Sequence, residues 1–263
     1  MTDAHTQREV AESFGADAER YDKARPPYPD AMIKRIVAAA PGPAFLDVGT
    51  GTGIAARQLQ AAGARVLGLD VDDRMAARAR QRGLEVEVAK FEEWEPHGRR
   101  FDALVAAMTW HWIDPLAGAA KAAQVLGPGG TINLMWNVFE APPEVKPVFA
   151  EINARIVPEL PNLWASPVPM VQGYQAILDQ GIDGLREVGG FEDLEQWRVD
   201  WDLAYTRDEW LAVVPTFGGI GSRISKTTLD ELLTATGEAI DAAGGTLLIR
   251  YSTLTVHTRR RPA

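Results

Sequence analysis

The amino-acid sequence predicts an α/β fold: a doubly wound, mostly parallel sheet carrying an antiparallel edge hairpin and a helical lid insert. Three observations carry that expectation. Short apolar segments alternate with helical patterns over the first half of the chain. A turn with three glycines in five positions, Gly49 to Gly53, follows the first apolar segment. The last two strand-like segments mix apolar and polar positions, which suits antiparallel pairing at a sheet edge.

In order along the chain, the first 28 residues read as a helix with a polar turn. The stretch RYDKARPPYP (Arg20 to Pro29) should then resist regular structure, because proline lacks an N–H and fixes φ. The segment PDAMIKRIVAAA starts a helix, with Pro29 where a first-turn proline is tolerated. The strand AFLDV leads into the glycine turn and a helix that ends near AAG (Ala61 to Gly63). RVLGLD, the helix DRMAARARQRG, LEVEV and the all-apolar FDALVAAM continue the alternation. Asp114 and Pro115 look like the N-cap and first position of the helix PLAGAAKAAQVL, which GPGG should stop before the strand TINLMW. Apolar strands alternating with helices imply a parallel sheet covered on both faces.

From Asn137 to about Gly190 the sequence is proline-rich, with a helix over EVKPVFAEINARIV and a loop over LWASPVPMVQGY. From Phe191 a strand-helix-helix-strand run follows: LEQWRVDWDLAY, RDEWLAVV, LDELLTATGEAIDAAG and TLLIRYSTLTVHT. The expected organisation is one domain over residues 1–263, with an N-terminal cap at 1–30 and a lid insert at 138–190.

Composition narrows the function classes. Hydrophobic residues at 46% and charged residues at 24% of 263 are ordinary for a soluble protein. No apolar run is long enough for a membrane helix, and the polar start MTDAHTQREVAESF lacks the apolar core of a signal peptide. Cysteine is absent, which excludes disulfides, thiolate metal sites and a cysteine nucleophile. The four histidines show no metal-ligand spacing, so no metal is expected. A net charge of −9 would repel a polyanion, which argues against nucleic acid as a partner. A cytoplasmic protein is the default expectation.

The glycine turn asks what ligand approaches the backbone so closely. Ligands of doubly wound sheets lie beyond the carboxyl ends of the strands, and Gly49-Thr50-Gly51-Thr52-Gly53 falls there. Asp70 closes the second strand seventeen residues after Gly53, where a carboxylate can accept hydrogen bonds from both hydroxyls of a ribose. A nicotinamide-dependent oxidoreductase would present the same features, and Gly51 to Ala56 satisfies its looser glycine pattern. Asp47, two residues before Gly49, points the other way: its carboxylate suits a cationic amino group and would repel a pyrophosphate. A non-catalytic module that binds an adenosine ligand is the remaining alternative.

The chain resembles the class I S-adenosylmethionine-dependent methyltransferases, and among them the small-molecule branch of trans-aconitate methyltransferase relatives. The resemblance rests on LDVGTGTG (Leu46 to Gly53), GLDVDDRM (Gly68 to Met75), FEEW (Phe91 to Trp94), FDALVAAMTWHWIDP (Phe101 to Pro115) and LGPGGTINLMWN (Leu126 to Asn137). YDKARPPYP (Tyr21 to Pro29) extends it toward the N-terminus. It implies a Rossmann-like methyltransferase fold and S-adenosyl-L-methionine as cofactor. Gly49, Gly51 and the Thr50 backbone would approach the methionine and ribose, with Asp47 near the amino group. Asp70 would grip the ribose, Val71 would pack on the adenine with Met75 nearby, and Ala106 would support the methionine moiety. Many relatives carry an acidic residue before the Phe91 position; here it is Lys90, which leaves the Phe91 backbone N–H to serve the ring. Tyr21 and Arg25 would fold over the cofactor, Arg25 pairing with its carboxylate in a bidentate way unless it is a surface arginine.

For the chemistry, His111 is the one histidine at the active end of a strand, and it either deprotonates an acceptor or packs under the loop. Trp110 would flank the methyl group or the acceptor, and Trp112 would belong to the core. Asn137 would contact the acceptor or form a turn, while Trp164, Met170 and Tyr174 would roof the acceptor pocket. Arg223, in a glycine-rich loop, would meet an acidic acceptor or lie in solvent. The expected partner is a small-molecule acceptor methylated at oxygen, an expectation that rests on the resemblance.

Overall fold

A computed structural model describes residues 14–192 and 194–262. The first part of the expected N-terminal helix, residues 1–13, lies outside the described residues. The described residues begin with a 3-10 turn (Phe14–Asp17) that leads into α1 (Ala18–Ala24), whose N-cap Asp17 accepts the Arg20 backbone N–H at 3.0 Å. This helix covers the first half of the segment expected to be irregular, and Arg25 to Pro29 is extended, because the prolines begin at Pro26. Next come α2 (Asp30–Ala39), β1 (Ala44–Val48), α3 (Ile54–Ala61), β2 (Arg65–Asp70), α4 (Asp73–Gln81), β3 (Glu85–Val88) and β4 (Phe101–Ala107). The helix α5 (Pro115–Val125) has the anticipated start: the Asp114 carboxylate accepts the N–H groups of Leu116 and Ala117, and Pro115 occupies the first turn.

The strand β5 (Leu126–Glu140) is much longer than TINLMW. Gly127 to Gly130 does not precede it; the register shifts between Phe101 and Ala103, so the glycine stretch is absorbed as an irregularity against β4. At its other end β5 runs past Trp136 to Glu140, held by pairing with the last strand from Thr131 to Glu140. The insert then forms α6 (Lys146–Ile156), the single turn α7 (Met170–Gly173) and α8 (Gln175–Val188). After it come β6 (Glu195–Thr206), α9 (Arg207–Val213), the single turn α10 (Ile220–Arg223), α11 (Lys226–Ala242) and β7 (Thr246–Arg259). Thr206 and Glu209 cap α9 reciprocally.

Among the described residues, seven strands form one sheet in the order β3-β2-β1-β4-β5-β7-β6. Strands β1 to β5 are parallel neighbours, and β7 is antiparallel to both β5 and β6. The doubly wound class and the antiparallel edge are as the sequence predicts. The edge pair is joined through α9 to α11, so it is not a tight hairpin.

Period-two alternation splits the core. Phe45, Ala103 and Val105 face a layer with α2, α3 and α4, including Met32, Ile36, Leu59 and Ala76. Leu46, Leu104 and Ala106 face the opposite layer with α5 and α8, including Ala122, Leu178 and Leu185. A third cluster, with Phe149, Trp210, Phe217 and Tyr251, gathers the insert and the α9–α11 region beyond the end of β5. Strand order reverses between β1 and β4, so the crevice opens above their carboxyl ends, below that third cluster.

Candidate active site

A cavity of about 640 Å³ occupies this crevice. Its floor is the ends of β1, β2 and β4: Asp47 to Thr52, Leu69 to Val71, and Ala107 to Thr109. Gly49 has φ of +64°, and a Cβ there would lie 2.1 Å from the Thr109 methyl, so no other residue fits. Gly51, with φ of +55°, meets nothing closer than Met75 Cε at 3.8 Å. A side chain at Gly51 would therefore fill the cavity; its absence leaves a bare backbone for a ligand.

Two buried carboxylates flank this crest. Asp70 Oδ2 accepts the Gly51 N–H at 2.7 Å and its Oδ1 accepts the Asp72 N–H at 2.9 Å. Burial pushes its pKa up, against those backbone hydrogen bonds. Asp47 Oδ2 accepts the Thr50 hydroxyl at 2.7 Å, while its Oδ1 is buried with no partner among the described residues. Burial raises the Asp47 pKa to about 7, with the Thr50 hydrogen bond opposing and the Asp70 charge adding. An orphaned carboxylate oxygen at the floor of a cavity fits a cationic group of a ligand, because a buried acceptor left unmatched is costly.

Most residues singled out from the sequence line this one cavity: Tyr21, Arg25, Asp47, Gly49, Thr50, Gly51, Asp70, Val71, Met75, Phe91, His111, Asn137, Met170 and Tyr174. Arg25 Nη2 donates to the Thr216 carbonyl at 2.6 Å, the guanidinium lies over the Tyr21 and Phe217 rings, and its Nε is buried without a partner among the described residues. It is thus a wall residue and not a surface arginine. Lys90 stays outside, paired with Glu93 at 2.9 Å.

Several expectations change. Ala106 is fully buried on the α5/α8 face of β4, so its neighbours Ala107 and Met108 line the cavity in its place. Trp110 points into the same layer, 6.2 Å from the Phe91 ring and beside Gly118, while Trp112 lines the cavity; the two tryptophans exchange the roles expected of them. Trp164 belongs to the third cluster, 5.3 Å from Phe149 and 5.8 Å from Phe139, and borders a smaller neighbouring cavity. Arg223 lies exposed on α10, the solvent placement among its two expected ones, while Phe217 and Gly218 of the preceding segment line the cavity.

Asn137 sits inside β5, not in a turn. Its amide donates to the Pro27 carbonyl at 3.0 Å and accepts the Thr253 hydroxyl at 2.6 Å, so it pins the cap to the sheet. Met108 escapes sequence reasoning altogether. It is a non-glycine residue with φ of +58°, its N–H donates to the Met135 carbonyl at 2.7 Å, and its sulfur accepts the Asn137 N–H at 3.2 Å. Such backbone strain collects where a site over-determines its own geometry.

A doubly wound sheet with a glycine crest at its switch point and an acid ending the second strand defines a nucleoside-binding α/β protein. Comparison with known proteins narrows the class. Residues 45–130 match the methyltransferase domain family. Methyltransferases of Mycobacterium tuberculosis and Mycobacterium bovis, described as uncharacterized, are 33% identical over 134 residues, covering 50% of this chain and 55% of theirs. The match thus spans about half the length of these curated relatives. A solved structure from Anaeromyxobacter dehalogenans, provisionally described as a type II methyltransferase, superposes with a TM-score of 0.66 at 22% identity, covering 91% of this chain and 99% of that one. Residues 45–130 are thus similar to the methyltransferase domain family, and the chain shares its fold with the solved methyltransferase. Methyltransferases of this fold use S-adenosylmethionine as cofactor, and the orphaned Asp47 oxygen and the bare Gly51 backbone fit its ammonium group and its nucleoside.

Proposed function

We propose that this protein transfers a methyl group from S-adenosylmethionine to an oxygen of a small-molecule acceptor. When bound, the cofactor supplies a methyl on a sulfonium leaving group that needs no protonation. Asp47 takes the amino group, Asp70 the ribose hydroxyls, and Val71 with Met75 the adenine, while Tyr21 and Arg25 close over the methionine end. The acceptor lies in the other half of the cavity, between His111, Trp112, Tyr174 and Tyr251. The protein contributes alignment and water exclusion, which are worth several kcal/mol, about 7–11 at best. In this reading residues 1–263 act as one unit, with the cap and the insert forming the roof.

One observation carries the small acceptor: the cavity is of about 640 Å³, within the roughly 300–1,000 Å³ of small-molecule sites, and the insert covers it with Leu163, Met170, Tyr174 and Ile177. Transfer to oxygen draws support from a ubiquinone biosynthesis O-methyltransferase of Aromatoleum aromaticum, 34% identical over 99 residues. The test incubates the purified protein with methyl-labelled S-adenosylmethionine and a panel of phenols, carboxylic acids and amines. Label in an ether or ester supports the reading. Label only in the amines overturns the choice of oxygen, and saturable binding of NADH without S-adenosylhomocysteine overturns the cofactor.

A further inference from the structure

We infer that Trp136 locks His111 as its Nε2–H tautomer, so that His111 meets the acceptor as a hydrogen-bond donor and not as a base. The inference rests on the reading of the cavity as a methyl-transfer site, but its first test does not. The Trp136 indole nitrogen lies 3.2 Å from His111 Nδ1. An indole N–H only donates, so Nδ1 must be the bare nitrogen, and a neutral ring then carries its proton on Nε2. Trp136 is fully buried in the sheet core and cannot turn to solvent. With Nδ1 directed at that core, the Nε2 edge is what His111 presents to the cavity it lines.

Two consequences follow from the tautomer. Nε2 has no lone pair at neutral pH, so it cannot take a proton from an acceptor. Protonating Nδ1 would set two N–H groups against each other, and burial already pushes the His111 pKa down to about 4. The cation is therefore absent near neutrality. The other buried acids of the cavity floor, Asp47 and Asp70, are tied to the glycine turn. The acceptor that suits such a site brings a nucleophile already ionised near neutral pH, with Nε2–H donating to that oxygen or to its neighbour. A weakly acidic hydroxyl that needs deprotonation does not suit it. Trp136 is the positioning residue, acting through His111.

The tautomer is read directly from long-range proton–nitrogen correlation spectra of the full chain labelled with ¹⁵N-histidine. The His111 signals are assigned by their loss in H111Q. The expected pattern is a pyridine-like Nδ1 and a pyrrole-like Nε2, unchanged from about pH 5.5 to about pH 8. A protonated Nδ1 or a cationic ring in that window overturns the inference. W136F should replace the single tautomer with an exchanging mixture; an unaltered spectrum in a folded W136F also overturns it. If W136F does not fold, the wild-type spectrum still decides. With an acceptor from the panel above, H111Q, which keeps a donor, should retain transfer within about tenfold, while H111A loses more. Equal losses of about a hundredfold or more in both would restore the base. If no acceptor is found, the methyl-transfer reading fails and the spectrum still answers for the tautomer.

Discussion

Asp70 Oδ2 accepts the backbone N–H of Gly51 at 2.7 Å, so the acid at the tip of β2 also holds the glycine turn in shape. The residue therefore does two things: it offers free lone pairs to a ribose and it braces the crest over which the ligand lies. Asp70→Asn should damage both, because the amide replaces one acceptor oxygen by a donor facing the Gly51 N–H. A hydrogen bond to a charged group is worth about 1.5–3 kcal/mol, so affinity for S-adenosylhomocysteine should fall about tenfold to a hundredfold. Titration calorimetry measures it, and unchanged affinity would remove Asp70 from the cofactor site.

Gly49 and Gly51 should separate stability from binding. Gly49→Ala drives a Cβ to 2.1 Å from Thr109, whose hydroxyl donates to the Gly49 carbonyl at 3.1 Å. The clash adds to the left-handed penalty of about 1–2 kcal/mol, so the melting temperature should drop by several degrees. Gly51→Ala meets only the left-handed penalty, since its Cβ enters open cavity space. It should melt closer to the parent yet bind S-adenosylhomocysteine far more weakly. Equal melting points for the two variants would contradict the contact with Thr109.

The cofactor half of the site was legible because it is local: a strand end, three glycines and an acid ending the next strand are adjacent in sequence. The acceptor half was not, because tertiary packing decides it. Trp110 and Trp112 sit two residues apart in one short 3-10 turn, and only the turn's docking beside Gly118 and Gly181 sends Trp110 inward. Helix α8 was missed for a related reason. Gly181 and Gly184 weaken its intrinsic propensity, yet a Cβ at Gly184 would lie 2.5 Å from the Pro115 carbonyl oxygen. Gly184 lets α8 lie against α5 and Gly181 lets it approach Leu134 and Trp110, an advantage visible only once they are packed. The length of β5 was hidden likewise, since GPGG reads as a stop unless its strand partners are known.

Asp22 fastens the cap. Its fully buried carboxylate pairs with Arg57 at 2.8 Å, Arg78 at 3.1 Å and Arg82 at 2.7 Å, joining α1 to α3 and α4. Burial opposes its ionisation, but the hydrogen bonds from Arg82 and Arg57 win and hold the pKa below the ordinary carboxylate range. With a folded value below the unfolded one, its stabilisation is present above about pH 4 and lost as pH falls through the folded value. Asp22→Asn should cost less than the roughly 3–5 kcal/mol of breaking a fully buried pair, because the three arginines reach solvent. Urea unfolding measures that cost, and faster proteolysis around Tyr21 would report the loosened cap. Unchanged proteolysis would mean that other contacts hold it.

Asp47 should make cofactor affinity depend on pH near neutrality. Burial raises its pKa to about 7, so below that pH the carboxyl is neutral in the free protein. A cationic amino group beside it favours the ionised form and draws its pKa down. Binding below about pH 7 must therefore expel a proton, and affinity for S-adenosylhomocysteine should climb from about pH 6 to about pH 8, by up to about tenfold for each unit while the acid is protonated. Calorimetry in buffers of different ionisation enthalpy would count the proton released at pH 6 and find almost none at pH 8. Asp47→Asn, with nothing to ionise, should bind more weakly at pH 8 and lose the pH dependence. A wild-type protein whose affinity stays flat across this range would mean that the unmatched Asp47 oxygen does not receive the ammonium.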